Sequence, residues 1–152
     1  MDQIRFDIPT ADAGTRPFWD AVAEGRLLIK RCRDCSRPHF YPRGFCPHCW
    51  SEALEWEQAS GRATLYTWSV VYVNDLPPFN RRVPYIAAVV ELAEGPRVMT
   101  NVVDCAIADL QADMELELIC RPVDDTPPLP FFRPRPPGAR RAASHSGQEH
   151  FS

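Results

Sequence analysis

No apolar run in this chain approaches the ~20 residues that a membrane-spanning helix needs. The opening stretch, MDQIRFDIPTADAG, lacks the apolar centre of a signal peptide. The expectation is a cytoplasmic protein without a membrane partner, in a compartment where cysteine is a free thiol or a metal ligand rather than half of a structural disulfide. A basic excess is also missing: the net charge is −3 and the pI about 5.8, which argues against a general nucleic-acid binder. Glycine is scarce, seven residues against sixteen prolines, and none of it forms a phosphate-cradling loop. There is no clustered carboxylate pair and no paired nucleophile and base, so a stand-alone enzyme is disfavoured.

What is present is a chain able to bury a core, with 45% apolar residues among 152, and a charge asymmetry. Between Arg26 and Trp50 six basic residues face one acidic residue, Asp34, whereas between Gly61 and Arg133 acidic residues outnumber basic ones ten to six. Residues 1–14 read as an irregular lead-in. Thr15 suits a helix N-cap and Pro17 a first turn. Phe18 with Val22, and Trp19 with Ala23, are spaced four apart, and Gly25 is placed to end a short helix. RLLIKRC and ALEW read as strands around a cysteine-rich segment, so that residues 15–60 form one unit. Beyond it the helical signal nearly vanishes. GRATLYTWSVVYV alternates, with Tyr66, Trp68 and Val70 expected on one face. PYIAAVVEL is apolar enough to be a strand covered on both sides. In MELELICR, Met114, Leu116, Leu118 and Cys120 share a face. With RVMTNVV and a closing LPFFR, residues 61–134 make a small antiparallel barrel. Residues 135–152 have no periodicity and little to bury, as in a disordered tail.

Four of the six cysteines lie in CRDCSRPHFYPRGFCPHC, residues 32–49. Each C-x-x-C turns two sulfurs toward one ion, and two such knuckles complete a tetrahedral thiolate site. Cys32, Cys35, Cys46 and Cys49 are therefore the expected ligands of a structural zinc, although four thiolates also accept iron. Four cysteines close the site, which excludes a catalytic zinc with an open position. Cys46-Pro-His-Cys49 also has the form of an oxidoreductase motif, but that chemistry needs a βαβ setting that is absent here. His48 is expected to point outward and His39 to face solvent or be hydrogen-bonded. Cys105 and Cys120 read as small buried apolar residues.

PFWDAVAEGRLLIKRCRDC, YPRGFCPHC, GRATLYTWSVVY, VPYIAAVVEL and LPFFRP together resemble a family of small proteins built from an N-terminal helix, a rubredoxin-like zinc ribbon and a C-terminal OB-fold. The resemblance covers roughly residues 15–134, and it implies a mainly β fold of that order. It also implies a non-catalytic accessory subunit, acting with a thiolase or a thiolase-like lipid-transfer enzyme that carries the catalytic residues. The subunit would help to bind acyl-CoA during carbon–carbon bond formation or cleavage on CoA thioesters in lipid or steroid metabolism. One departure is LQADMELEL, where the family usually has a glycine before the fourth barrel strand. Within the most distinctive loop, NDLPPFNRRVPY, the candidate ligand contacts are Phe79, as a stacking face, and Arg81 and Arg82, as phosphate-binding cations. The alternative is a zinc-ribbon/OB-fold nucleic-acid binder that stacks bases on Tyr66, Trp68 and Tyr72. The acidic barrel segment argues against it.

Overall fold

The computed structural model describes residues 5–136. Helix α1 spans Arg16–Ala23 and turns Phe18, Ala21 and Val22 inward. Ala21, not Ala23, completes the buried stripe, because Ala23 faces solvent. Thr15 occupies the N-cap position but does not cap. Its hydroxyl is engaged instead with Asp12, donating to the carboxylate at 3.0 Å and accepting from the Asp12 amide at 3.1 Å. The other end closes as the sequence implies. The Gly25 amide donates to Val22 and the Arg26 amide to Ala21, at 3.0 and 2.8 Å, with Gly25 at φ +80°. This paired closure needs a left-handed residue, which glycine adopts without steric cost.

Strands β1 (Leu28–Cys32), β2 (Pro38–His39) and β3 (Leu54–Gln58) form a three-stranded sheet in the order β2-β1-β3. The other five are β4 (Arg62–Val71), β5 (Tyr85–Leu92), β6 (Arg97–Val102), β7 (Glu115–Arg121) and β8 (Leu129–Pro134). They close a barrel in the order β4-β5-β6-β8-β7, an OB-fold. Its seam is narrow. β6 and β8 run parallel and meet at one pair, Val102 with Phe132, reinforced by the Val103 amide on the Phe132 carbonyl at 2.8 Å. One core runs through everything: Phe18, Val22, Leu27 and Ile29 from the helix and small sheet join Leu65, Val90, Leu116 and Phe132 from the barrel.

Two strand readings need correction. Tyr66, Trp68 and Val70 do not share a face, because the β4–β5 register slips between Leu65 and Thr67. The extra residue of this bulge is Tyr66, which is exposed, while Trp68 packs against the core. β5 is covered fully on one side only. Ile86, Ala88, Val90 and Leu92 are buried, and the intervening Tyr85, Ala87, Val89 and Glu91 are half-buried.

The missing glycine is replaced by Asp113, at φ +63°. Aspartate tolerates this conformation better than most residues, and the Asp113 amide holds the turn against the Leu65 carbonyl at 2.8 Å. Cys105 and Cys120 are half-buried rather than buried. Burial still pushes both thiols above their ordinary range, with Asp109 adding to the effect at Cys105. No helix among the described residues is long and apolar enough to cross a membrane. Most of the expected tail, from residue 137 on, lies outside the described residues.

Candidate functional site

The four cysteine sulfurs come together at the open end of the small sheet, all within 4.8 Å of one another. Cys32 and Cys49 are 3.5 Å apart, and Cys35 and Cys46 are 3.6 Å apart. A tetrahedron of thiolates around zinc, with bonds of about 2.3 Å, has edges of about 3.8 Å, so the cluster has the right size for one ion. The amides of Cys35 and His48 donate to the Cys32 and Cys46 sulfurs at 3.5 and 3.4 Å. The Cys35 amide, joined by that of Asp34, brings the Cys32 thiol down to about 7 despite burial. Such a set of four soft sulfur ligands fits zinc or iron, which would staple the ribbon rather than catalyse. His48 faces solvent, outside the cluster.

The knuckles end on equivalent strained residues, Ser36 at φ +62° and Trp50 at φ +66°. Trp50 is 74% exposed and stacks on Phe45, with centroids 5.2 Å apart. A left-handed tryptophan costs roughly 1–2 kcal/mol, which glycine would avoid. Trp50→Gly should therefore be more stable than Trp50→Ala by about 1 kcal/mol in denaturant titrations, although both lose the stack.

His39 departs from expectation. It is 4% exposed, and neither ring nitrogen has a hydrogen-bond partner. It sits in a row with Lys30 and Trp56 across the three strands, and the Lys30 ammonium lies over the Trp56 ring, 4.6 Å from its centroid. Burial, aided by the charges of His48, Lys30 and Arg43, lowers its pKa below the ordinary histidine value.

The second site is a cleft of about 740 Å³ at one mouth of the barrel. It lies between the β4–β5 loop, the β7–β8 loop and the lead-in, with an apolar wall of Phe6, Leu76, Pro77 and Pro78. Arg81 and Arg82 line it, whereas Phe79 does not. Phe79 instead supports Arg82, whose guanidinium carbon lies 5.7 Å from the ring centroid. Arg82 is not a free cation. It donates to Asp7 at 2.9 Å and to Asp124 at 2.9 and 3.1 Å. Arg81 is exposed and makes no ion pair among the described residues.

Asp7 organises the cleft. Its side chain is 2% exposed and accepts two bonds from Arg5, at 2.9 and 3.0 Å, besides that from Arg82. Arg5 makes a second, bidentate pair with Asp125, both bonds 2.9 Å long. Sequence reasoning missed Arg5, Asp7, Asp124 and Asp125, because partners 42 to 120 positions apart leave no spacing signal. The adjacent aspartates of the β7–β8 loop were the only hint.

The Arg5 hydrogen bonds, with help from Arg82, outweigh burial and hold the Asp7 carboxyl well below the usual carboxylate range. Protons therefore bind the unfolded chain first, near pH 4. The stabilisation is fully present above that pH and is lost as pH falls below it. The gap in melting temperature between wild type and Asp7→Asn should be constant above pH 5 and narrow steadily toward pH 3.

A third recess, apolar and of about 300 Å³, separates Phe18, Trp19, Phe40 and Tyr41 from Met99 and Phe132. Of the aromatics proposed for base stacking, Tyr66 lies under the Arg97 guanidinium, 3.8 Å from the ring centroid, Trp68 packs against the core, and Tyr72 is exposed.

Residues 19–55 match the ChsH2 rubredoxin-like zinc ribbon domain, and residues 56–120 match the ChsH2 C-terminal OB-fold domain. The chain belongs to this zinc-ribbon/OB-fold family. A solved structure of an Ltp2-ChsH2(DUF35) aldolase contains a chain 32% identical, superposing with a TM-score of 0.72 over 83% of this chain and 98% of that one. A probable enoyl-CoA hydratase alpha subunit of Thermomonospora curvata is 36% identical over 121 residues, which are 79% of this chain but 37% of that protein. The benzoylsuccinyl-CoA thiolase subunit BbsA of Geobacter metallireducens is 31% identical over 93 residues, 61% of this chain and 60% of that subunit. The chain thus spans 37% of the first of these curated relatives and 60% of the second. Family membership places a structural metal, zinc, in the four-cysteine ribbon.

Proposed function

We propose that the protein is a non-catalytic accessory subunit that docks on a thiolase or thiolase-like lipid-transfer enzyme. In this reading it helps hold acyl-CoA while the partner makes or breaks a carbon–carbon bond on the thioester, in lipid or steroid metabolism. The observation that supports the reading is the match to 98% of a chain of an Ltp2-ChsH2(DUF35) aldolase, whose name joins two components, taken with the matches to the ChsH2 domain families. The thiolase-subunit relative supports the same class of partner. In this reading the ribbon and barrel contribute a scaffold rather than the reacting groups.

The test is mild affinity purification of the tagged protein from its native cells. A stoichiometric thiolase-like chain is the expected companion. Recovery of nucleic acid alone would replace this reading with the polynucleotide-binding one. Phe79, Arg81 and Arg82 are the proposed acyl-CoA contacts, with Phe79 acting through Arg82. Arg81→Ala is the cleaner probe, since Arg82 also holds the lead-in. It should weaken acyl-CoA affinity of the assembled complex about tenfold, the loss of one charge-assisted bond. Unchanged affinity would remove Arg81 from the site.

A further inference from the structure

OB-folds bind ligands through the loops that here are β4–β5 and β7–β8, yet the cleft between them is partly filled by the chain's own lead-in. We infer that residues 5–11 form a releasable strap, and that the Asp7 carboxylate occupies an anion-binding position on Arg82 that a ligand phosphate takes when the strap leaves. Phosphate is chosen as the ligand chemistry because the inference rests on the acyl-CoA reading above.

Three observations converge on this. First, no backbone–backbone hydrogen bond ties residues 5–11 to the rest of the described chain. The strap holds through Arg5 and Asp7, while its apolar residues Phe6 and Ile8 remain 62% and 36% exposed. A segment packed for good would bury them. Second, Asp7 accepts a single charge-assisted bond from Nη2 of Arg82 at 2.9 Å, one that a phosphate oxygen could accept in its place. The Nε–Nη2 edge of Arg82 is held by Asp124, and the Phe79 ring backs the guanidinium. Third, Arg81, beside it on the same cleft, has no ion-pair partner among the described residues. Removal of Asp7 would therefore leave the adjacent guanidiniums of Arg81 and Arg82, the latter oriented by its pairing with Asp124, in a cleft lined by Leu76, Pro77 and Pro78 together with Asp124 and Asp125.

The strap and the ligand then compete, and the free chain binds CoA with an affinity reduced by the fraction of time the strap is open. The experiment titrates coenzyme A calorimetrically into the full chain. Asp7→Asn, which keeps shape but removes the charge, should bind CoA about tenfold tighter than wild type, as for a strap open a tenth of the time. Arg5→Gln, which loosens the strap without touching Arg82, should shift affinity in the same direction. Arg82→Gln should abolish binding in either background. Folded Asp7→Asn and Arg5→Gln chains with no gain would overturn the inference, as would a gain that survives Arg82→Gln. Assembly with a thiolase-like partner is scored on the same preparations. Assembly without the affinity gain overturns the strap alone, and the gain without assembly overturns the accessory-subunit reading alone.

Discussion

Cys46→Ser is expected to unfold the ribbon while leaving a weakened barrel. Cys46 is fully buried, with its sulfur inside the four-cysteine cluster, and a serine oxygen is a poor replacement for a soft thiolate. Structural zinc in small modules supplies an apparent ~10–16 kcal/mol of folding free energy, more than a small sheet can replace from its own contacts. β2 contributes only two residues, and β3 buries none of its side chains fully. The ribbon therefore has little besides the metal and its contacts with α1 and the barrel. Hydrogen exchange should show the amides of β1 and β3 losing protection, while those of β5, paired on both sides, retain it. A strong chelator should reproduce the pattern in the wild type. Full protection of β1 in metal-free protein would show that the ribbon folds on its own core.

Leu27→Ala is expected to cost about 2–5 kcal/mol, the range for a large apolar side chain removed from a closed core. Leu27 is 1% exposed and lies between α1 and β1, where helix, ribbon and barrel share one cluster. Because the three units bury surface against each other, the loss should be felt in both halves of the metal-loaded protein. Trp56 reports on the ribbon and Trp68 on the barrel. In guanidinium titrations of single-tryptophan variants, both should lose midpoint together. If only the Trp56 signal moved, the shared core would be two cores in contact.

These outcomes also show which parts of the fold were legible in the sequence. The metal cluster was, because its spacing is local: two residues within each knuckle and ten between them leave few geometries. The helix stop was legible for the same reason, since Gly25 alone decides it. The face of β4 was not. Alternation through Tyr66 and Trp68 reads as unbroken, and the bulge is set by β5, whose register β4 must follow. β5 itself misled because an apolar run does not reveal whether both of its sides are covered by the same chain. His39 misled because polarity predicted a hydrogen bond, whereas its place in the Lys30–Trp56 row buries it. The cleft was half legible. The arginine pair stood out, but Asp7, which claims Arg82, comes from a lead-in with no periodicity at all.

The barrel seam has a mechanical consequence. Around the circuit β4, β5, β6 and β7 are laced by ladders of several pairs each, except where β6 meets β8 at Val102 and Phe132. A cylinder with one weak stave should open there first, as a leaf in which the β4–β5–β6 side swings from the β7–β8 side about the short β4–β7 ladder of three pairs. Phe132, the largest fully buried side chain among the described residues, stands at that seam and would serve as its latch.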